Sequence, residues 1–209
     1  MATSTPPLPP QPEPWLRGAI PGVDPLLAPV FFSFTQVRED LALHIRDLSP
    51  DDVWRQVGSV PALGFQLRHI AGSVDRLTSY LMDEQLSPDQ IFCMKQESGP
   101  GPGLAGPGLA GPGVAGPGVA GPGVAGSSVA GSSVDPSGVD DLLAGVDAAL
   151  ASAEARMATI DPATIHEPRY IGRKRLPTTV LGLLVHIAEH TQRHLGQAIT
   201  TAKLVRDSR

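Results

Sequence analysis

The chain has one cysteine, Cys93, no excess of positive charge, and no apolar run of the length a membrane span needs. Each shortage removes a class of function. A single thiol can form no internal disulfide and cannot supply a cysteine-rich zinc site; Cys93 reads instead as a small buried hydrophobe. Without about 18 consecutive apolar residues, no transmembrane helix and no membrane partner are predicted. A net charge of −5 and a pI near 5.6 lack the basic face of a nucleic-acid binder. The opening residues "MATSTPPLPPQPEPW" have neither the basic start nor the apolar core of a secretory leader, so cytoplasm is the expected location. Period-two alternation is also missing, so no strand is predicted.

Glycine and proline, by contrast, are abundant, with 23 and 22 copies, and they fall mostly in two blocks. Residues 1–29 are Pro-rich and read as an extended, disordered tail. Residues 98–135 hold five copies of a five-residue unit, "GPGLAGPGLAGPGVAGPGVAGPGVA", then the decayed copies "GSSVA" and "GSSVD". Each Pro-Gly favours a type II turn. The unit is too short for a solenoid repeat, and it reads as a tandem expansion in a surface loop, because loop length costs entropy only logarithmically. Setting both blocks aside leaves roughly 140 residues, enough for one buried core.

Those residues carry helical periodicity. Val30, Phe31, Phe34, Val37, Leu41, Ile45 and Leu48 step by threes and fours up to Ser49-Pro50, which ends the helix. Leu63, Leu67, Ile70, Val74, Leu77 and Leu81 mark a second helix from about Ala62 to Leu86. Leu142, Val146, Leu150 and Met157 mark a third, Val139 to Ala158, with Ser137 as its candidate cap. A fourth starts near Thr178 or Thr179 and runs to about Arg206. Between the last two, "DPATIHEPRYIGRKRLP" is read as a loop. The prediction is an all-α fold over residues 30–206, a four-helix bundle with a long disordered crossover loop between helices 2 and 3.

The last helix contains "LLVHIAEHTQRHLGQ", with His186, His190 and His194 four residues apart. Two imidazoles on one zinc ion bring their nitrogens within about 3–4 Å, which i and i+4 on a helix can achieve. Positions i and i+8 lie about 12 Å apart along the axis, so all three cannot share an ion. The inward stripe of this helix is Val180, Leu183, Leu184, Ile187, Thr191, Leu195, Ala198 and Ala202. At about 100° per residue, His194 lies about 70° from its centre, His190 about 110° and His186 about 150°. His190 and His194 are the better pair, and His186 is exposed, a supporting or alternative ligand. A third ligand must come from elsewhere. His69, at the edge of the second helix's buried arc, ranks ahead of His166 in the loop and His44 near a helix end. A half-solvated histidine face fits the spacing as well as a metal site does. In "HIAEH" the glutamate stands fourth rather than second, which is not the zinc-protease pattern.

"GFQLRHIAGSVDRLTSYL" and "LPTTVLGLLVHIAEHTQRHLGQAITTAKLV" resemble the two signature helices of the DinB-like (DinB/YfiT) superfamily, over about Phe31 to Val205 without the repeat block. The resemblance implies a four-helix bundle whose long crossover is where the repeats fall. It implies a divalent metal, often zinc or nickel, on one helix-2 residue and an i, i+4 pair of the last helix. His69 matches the first, and His190 and His194 match the pair. Arg often follows the final histidine in the family, where Leu195 stands here. Some relatives are S-transferases or isomerases that use a low-molecular-weight thiol, and others are hydrolases. The resemblance therefore implies a metal-dependent S-transferase or hydrolase whose partners are a small-molecule thiol and an electrophile. Arg173 and Arg175 of the basic loop are candidates to bind an anionic substrate, although surface charge of this kind is usually only solvated. The alternative is a non-catalytic metal-binding or stress-related bundle acting as a homodimer. Deleting Gly99 to Val134 is predicted to leave folding and metal content near normal, and a large loss in melting temperature would show that the insertion packs.

Overall fold

A computed structural model describes residues 11–99 and 138–209. The disorder read into the crossover repeat, the candidate cap Ser137 and the first ten residues lie outside them. Among the described residues are six helices and one two-stranded sheet, in the order α1 (Ala28–His44), α2 (Pro50–Trp54), α3 (Leu63–Leu81), α4 (Pro88–Lys95), α5 (Val139–Met157), β1 (Pro168–Ile171), β2 (Leu176–Thr179) and α6 (Val180–Asp207). None of these helices is long and apolar enough to cross a membrane.

The periodic stripes become one core. Phe34, Val37 and Ile45 from the α1 region, Leu63, Leu67, Ile70 and Val74 of α3, Leu150 and Met157 of α5, and Leu183, Ile187, Ala198 and Ala202 of α6 are fully buried together. All eight stripe residues assigned to α6 from the sequence are buried. Helix α3 is the hub, packing against both α5 and α6, while α1 packs mainly on α6.

Three features depart from the sequence reading. Ser49-Pro50 does more than follow a helix; it starts α2, with a capping box in which Ser49 Oγ accepts from Asp52 N–H (3.3 Å) and Asp52 Oδ2 accepts from Ser49 N–H (3.0 Å). Helix α3 stops at Leu81 instead of reaching Leu86, and Asp83 takes a left-handed φ of 59°. Ser87 and Gln90 then make a second capping box that starts α4. The amide of Gln90 also donates to Asp75 Oδ2 (2.8 Å) and Ser79 Oγ (2.9 Å), which docks α4 on α3.

The third departure is the hairpin. The expectation of no strands is corrected, because β1 and β2 pair antiparallel with Ile171 opposite Leu176. Their turn works because Gly172 (φ 66°) and Arg175 (φ 48°) both take left-handed backbone. At four residues each, the strands are too short and too exposed to show alternation. Arg169 Nε donates to the Leu81 carbonyl at 2.8 Å, tying the hairpin to the end of α3.

Residues 11–27 lie along α1 rather than free of it. Arg17 pairs with both carboxylate oxygens of Glu39 at 2.6 and 2.7 Å. Replacing fully buried Leu150 by Ala is expected to lower the unfolding free energy by about 2–5 kcal/mol, read by urea denaturation.

Candidate metal centre

The α3–α6 seam is hydrocarbon along most of its length, and imidazole at one level. His69 enters it from α3, and His190 and His194 from α6, all three half-buried. His69 Nε2 and His190 Nε2 are 3.0 Å apart. Ring centroids lie 4.3 Å apart for His69 and His194, and 4.5 Å for His190 and His194. One nitrogen from each ring can be chosen so that all three lie within 4.8 Å of one another. The i, i+4 spacing of the α6 pair and the close approach of α3 together produce this convergence.

The surroundings fix the rings. Phe65 stacks on His69 at 5.4 Å between centroids and 15° between planes. His194 Nδ1–H donates to Oε1 of the buried Gln66 at 2.8 Å, which leaves its Nε2 lone pair for the centre. His69 Nδ1–H donates to Glu97 Oε2 at 2.7 Å. His190 Nδ1 is buried without a hydrogen-bond partner among the described residues.

Burial, then the neighbouring imidazoles and Arg193, push His190 down to about 4. Burial first, then His69 and Arg193, push His194 down to about 4 as well. Both are therefore neutral at pH 7 and keep a lone pair. A set of three imidazole nitrogens suits a divalent transition metal. Three imidazoles whose nitrogens converge this closely present a donor set that a divalent cation can bridge.

A sequence profile described as the DinB superfamily matches residues 33–198. The chain belongs to the DinB superfamily. Neither a curated protein nor a solved structure gives a match. The matched span contains His69, His190 and His194, so this member of the superfamily carries a three-histidine cluster between α3 and α6.

The remaining candidates are placed differently. His186 is 45% exposed, on the outer side of His190 with ring centroids 5.3 Å apart, and its Nδ1 lies 3.8 Å from Glu189. His166 is exposed and His44 half-buried, and neither joins the cluster. Arg173 and Arg175 are exposed in the hairpin turn, and the Arg175 guanidinium lies 4.4 Å over the Tyr170 ring. Among the described residues neither makes a hydrogen bond or ion pair to the three histidines. Cys93 lines a cavity of about 270 Å³ between α3, α4 and α5, away from the histidines. Burial and the nearby Asp89 and Asp75 push its thiol up, so it is no ready nucleophile at pH 7.

Sequence reasoning missed Gln66 and Glu97. Gln66 stands one turn before His69, and a polar residue at that spacing was a usable signal. In metal-free protein, the unfolded chain binds protons at His190 and His194 between their ordinary value of 6.5 and the folded value of about 4, where the folded chain does not. That contribution to stability is whole above pH 6.5 and is lost as pH falls toward 4. The melting temperature of metal-free protein is expected to drop across this window, and the drop should shrink in the His190→Gln, His194→Gln double variant.

Proposed function

We propose that His69, His190 and His194 hold a divalent ion, zinc or nickel, and that the protein is a thiol-dependent S-transferase of the DinB superfamily. The observation that carries this reading is the convergence of three imidazole nitrogens from two helices within 4.8 Å. The fold we propose for it is a four-helix bundle of α1, α3, α5 and α6, with the Gly/Pro repeat inserted in the crossover between α3 and α5.

When bound, such an ion lowers the pKa of a coordinated low-molecular-weight thiol or water near neutrality. Three protein ligands leave a coordination position open for that molecule. The protein's own part is positional. Gln66 holds the His194 ring by its Nδ1–H, and Phe65 restricts rotation of His69. Burial keeps His190 and His194 unprotonated, so no proton has to leave before they act as ligands. The reaction class is transfer of a thiol sulfur to an electrophilic carbon, with hydrolysis as the variant in which water takes the thiol's place.

Metal analysis of protein made without a histidine tag should find about one divalent ion per chain, and His190→Ala should lose it. With metal present, a panel of electrophiles and thiols should show turnover that falls about tenfold or more in His194→Ala with circular dichroism unchanged. Metal without turnover across that panel would favour a non-catalytic metal-binding protein.

A further inference from the structure

Glu97 is a carboxylate only 4% exposed, although it lies in the segment just after α4. A buried charge is tolerated only when paired and hydrogen-bonded. Its two oxygens are divided between two partners. Oε1 accepts from Arg76 Nη1 at 2.7 Å, and Oε2 accepts from His69 Nδ1–H at 2.7 Å. Arg76 is itself buried, at 8% exposure. A purely structural Arg–Glu pair would engage both oxygens in the guanidinium fork; here one oxygen is reserved for the histidine.

The backbone of α3 is shaped for this contact. A Cβ on Gly72 would meet Glu97 Oε1 at 2.6 Å and Arg76 Nη1 at 2.7 Å. A side chain there would have to push the carboxylate and the guanidinium aside, one turn beyond His69. The segment is also pinned from the other side, since Arg68 Nη1 donates to the carbonyls of Gln96 (3.1 Å) and Gly99.

We propose that Glu97, set by Arg76 and admitted by Gly72, is a positioning residue for the ligand His69. The inference rests on the metal reading above. As the counter-ion of Arg76, Glu97 offers acceptors only, so the proton of the His69 ring belongs on Nδ1. The Nε2 lone pair then points at His190 and His194. A carboxylate behind a ligating imidazole fixes its tautomer and raises its basicity. The segment just after α4 thereby becomes part of the centre, although Glu97 is not itself among the three clustered residues.

Glutamine places an NH2 donor where one of the two Glu97 oxygens accepts, so the bond to either Arg76 or His69 is lost in that arrangement. The test is a zinc titration against a chromophoric chelator at neutral pH for wild type, Glu97→Gln, Glu97→Asp and Gly72→Ala. It is paired with nitrogen-15 NMR of the histidine rings in metal-free wild type and with melting curves. The expected result is an Nδ1–H tautomer for His69 in wild type and zinc affinity about 10–100-fold weaker in Glu97→Gln. Glu97→Asp should recover part of the loss. Gly72→Ala should weaken zinc binding in the same direction, with melting curves reporting separately how far it disturbs the Arg76–Glu97 pair. Wild type that binds no zinc overturns the metal reading and this inference with it. Wild type that binds zinc, with Glu97→Gln within twofold of it, overturns this inference alone. An Nε2–H tautomer for His69 in wild type overturns it without recourse to any variant.

Discussion

Three imidazoles share one level of the α3–α6 seam, and they are too close to be charged together. At 3.0 Å between His69 Nε2 and His190 Nε2, like charges on the two rings would repel strongly. The surrounding structure follows from keeping those rings close and turned inward. Burial depresses His190 and His194 most; His194, His69 and His186 then depress His190, and His69 depresses His194. Packed helices that ordinarily exclude polar groups are thus used to hold lone pairs in place.

Helix α3 carries most of this work. One of its faces supplies Leu63, Leu67, Ile70 and Val74 to the core. Its other side supplies Gln66 to His194, His69 to the centre, and Arg68, Gly72 and Arg76 to the segment that bears Glu97. A helix packed on both α5 and α6 buries Gln66, Arg68 and Arg76, and such buried polar side chains must be partnered. The chain between α3 and α5 reaches them because the Ser87–Gln90 box starts α4 and the Gln90 amide fastens it to Asp75 and Ser79.

The long helices were legible because their stripes repeat over several turns. The α6 stripe also ordered its histidines by angle, and their burial follows that order, with His186 exposed and His190 and His194 half-buried. The short elements were hidden for the opposite reason. Helix α2 is five residues long and α4 eight, too short to show a period, although Ser49-Pro50-Asp51-Asp52 and Ser87-Pro88-Asp89-Gln90 both carry the capping-box pattern. The hairpin was hidden by exposed four-residue strands, and its two left-handed positions include Arg175, where nothing in the residue type announces a turn. In the sequence Arg173 and Arg175 are candidates for an anionic substrate, with solvated surface charge the commoner reading. In the folded chain Arg175 lies over Tyr170, and Arg169 serves the end of α3.

By itself the sequence determined the four long helices, the inward stripe of each, and the outward placing of His186 relative to His190 and His194. These are properties of one helix at a time, set by rise and rotation per residue. What only the tertiary structure decided is how elements meet. Which residue of α3 lies level with His190, which side chain takes the Nδ1 proton of each ring, and where the buried carboxylate comes from all depend on packing between segments far apart in the chain. Glu97 is 28 residues from His69 and next to a low-complexity repeat, so no local pattern connects them. Their contact exists because α4 is fastened to α3 and Gly72 leaves space for a carboxylate there.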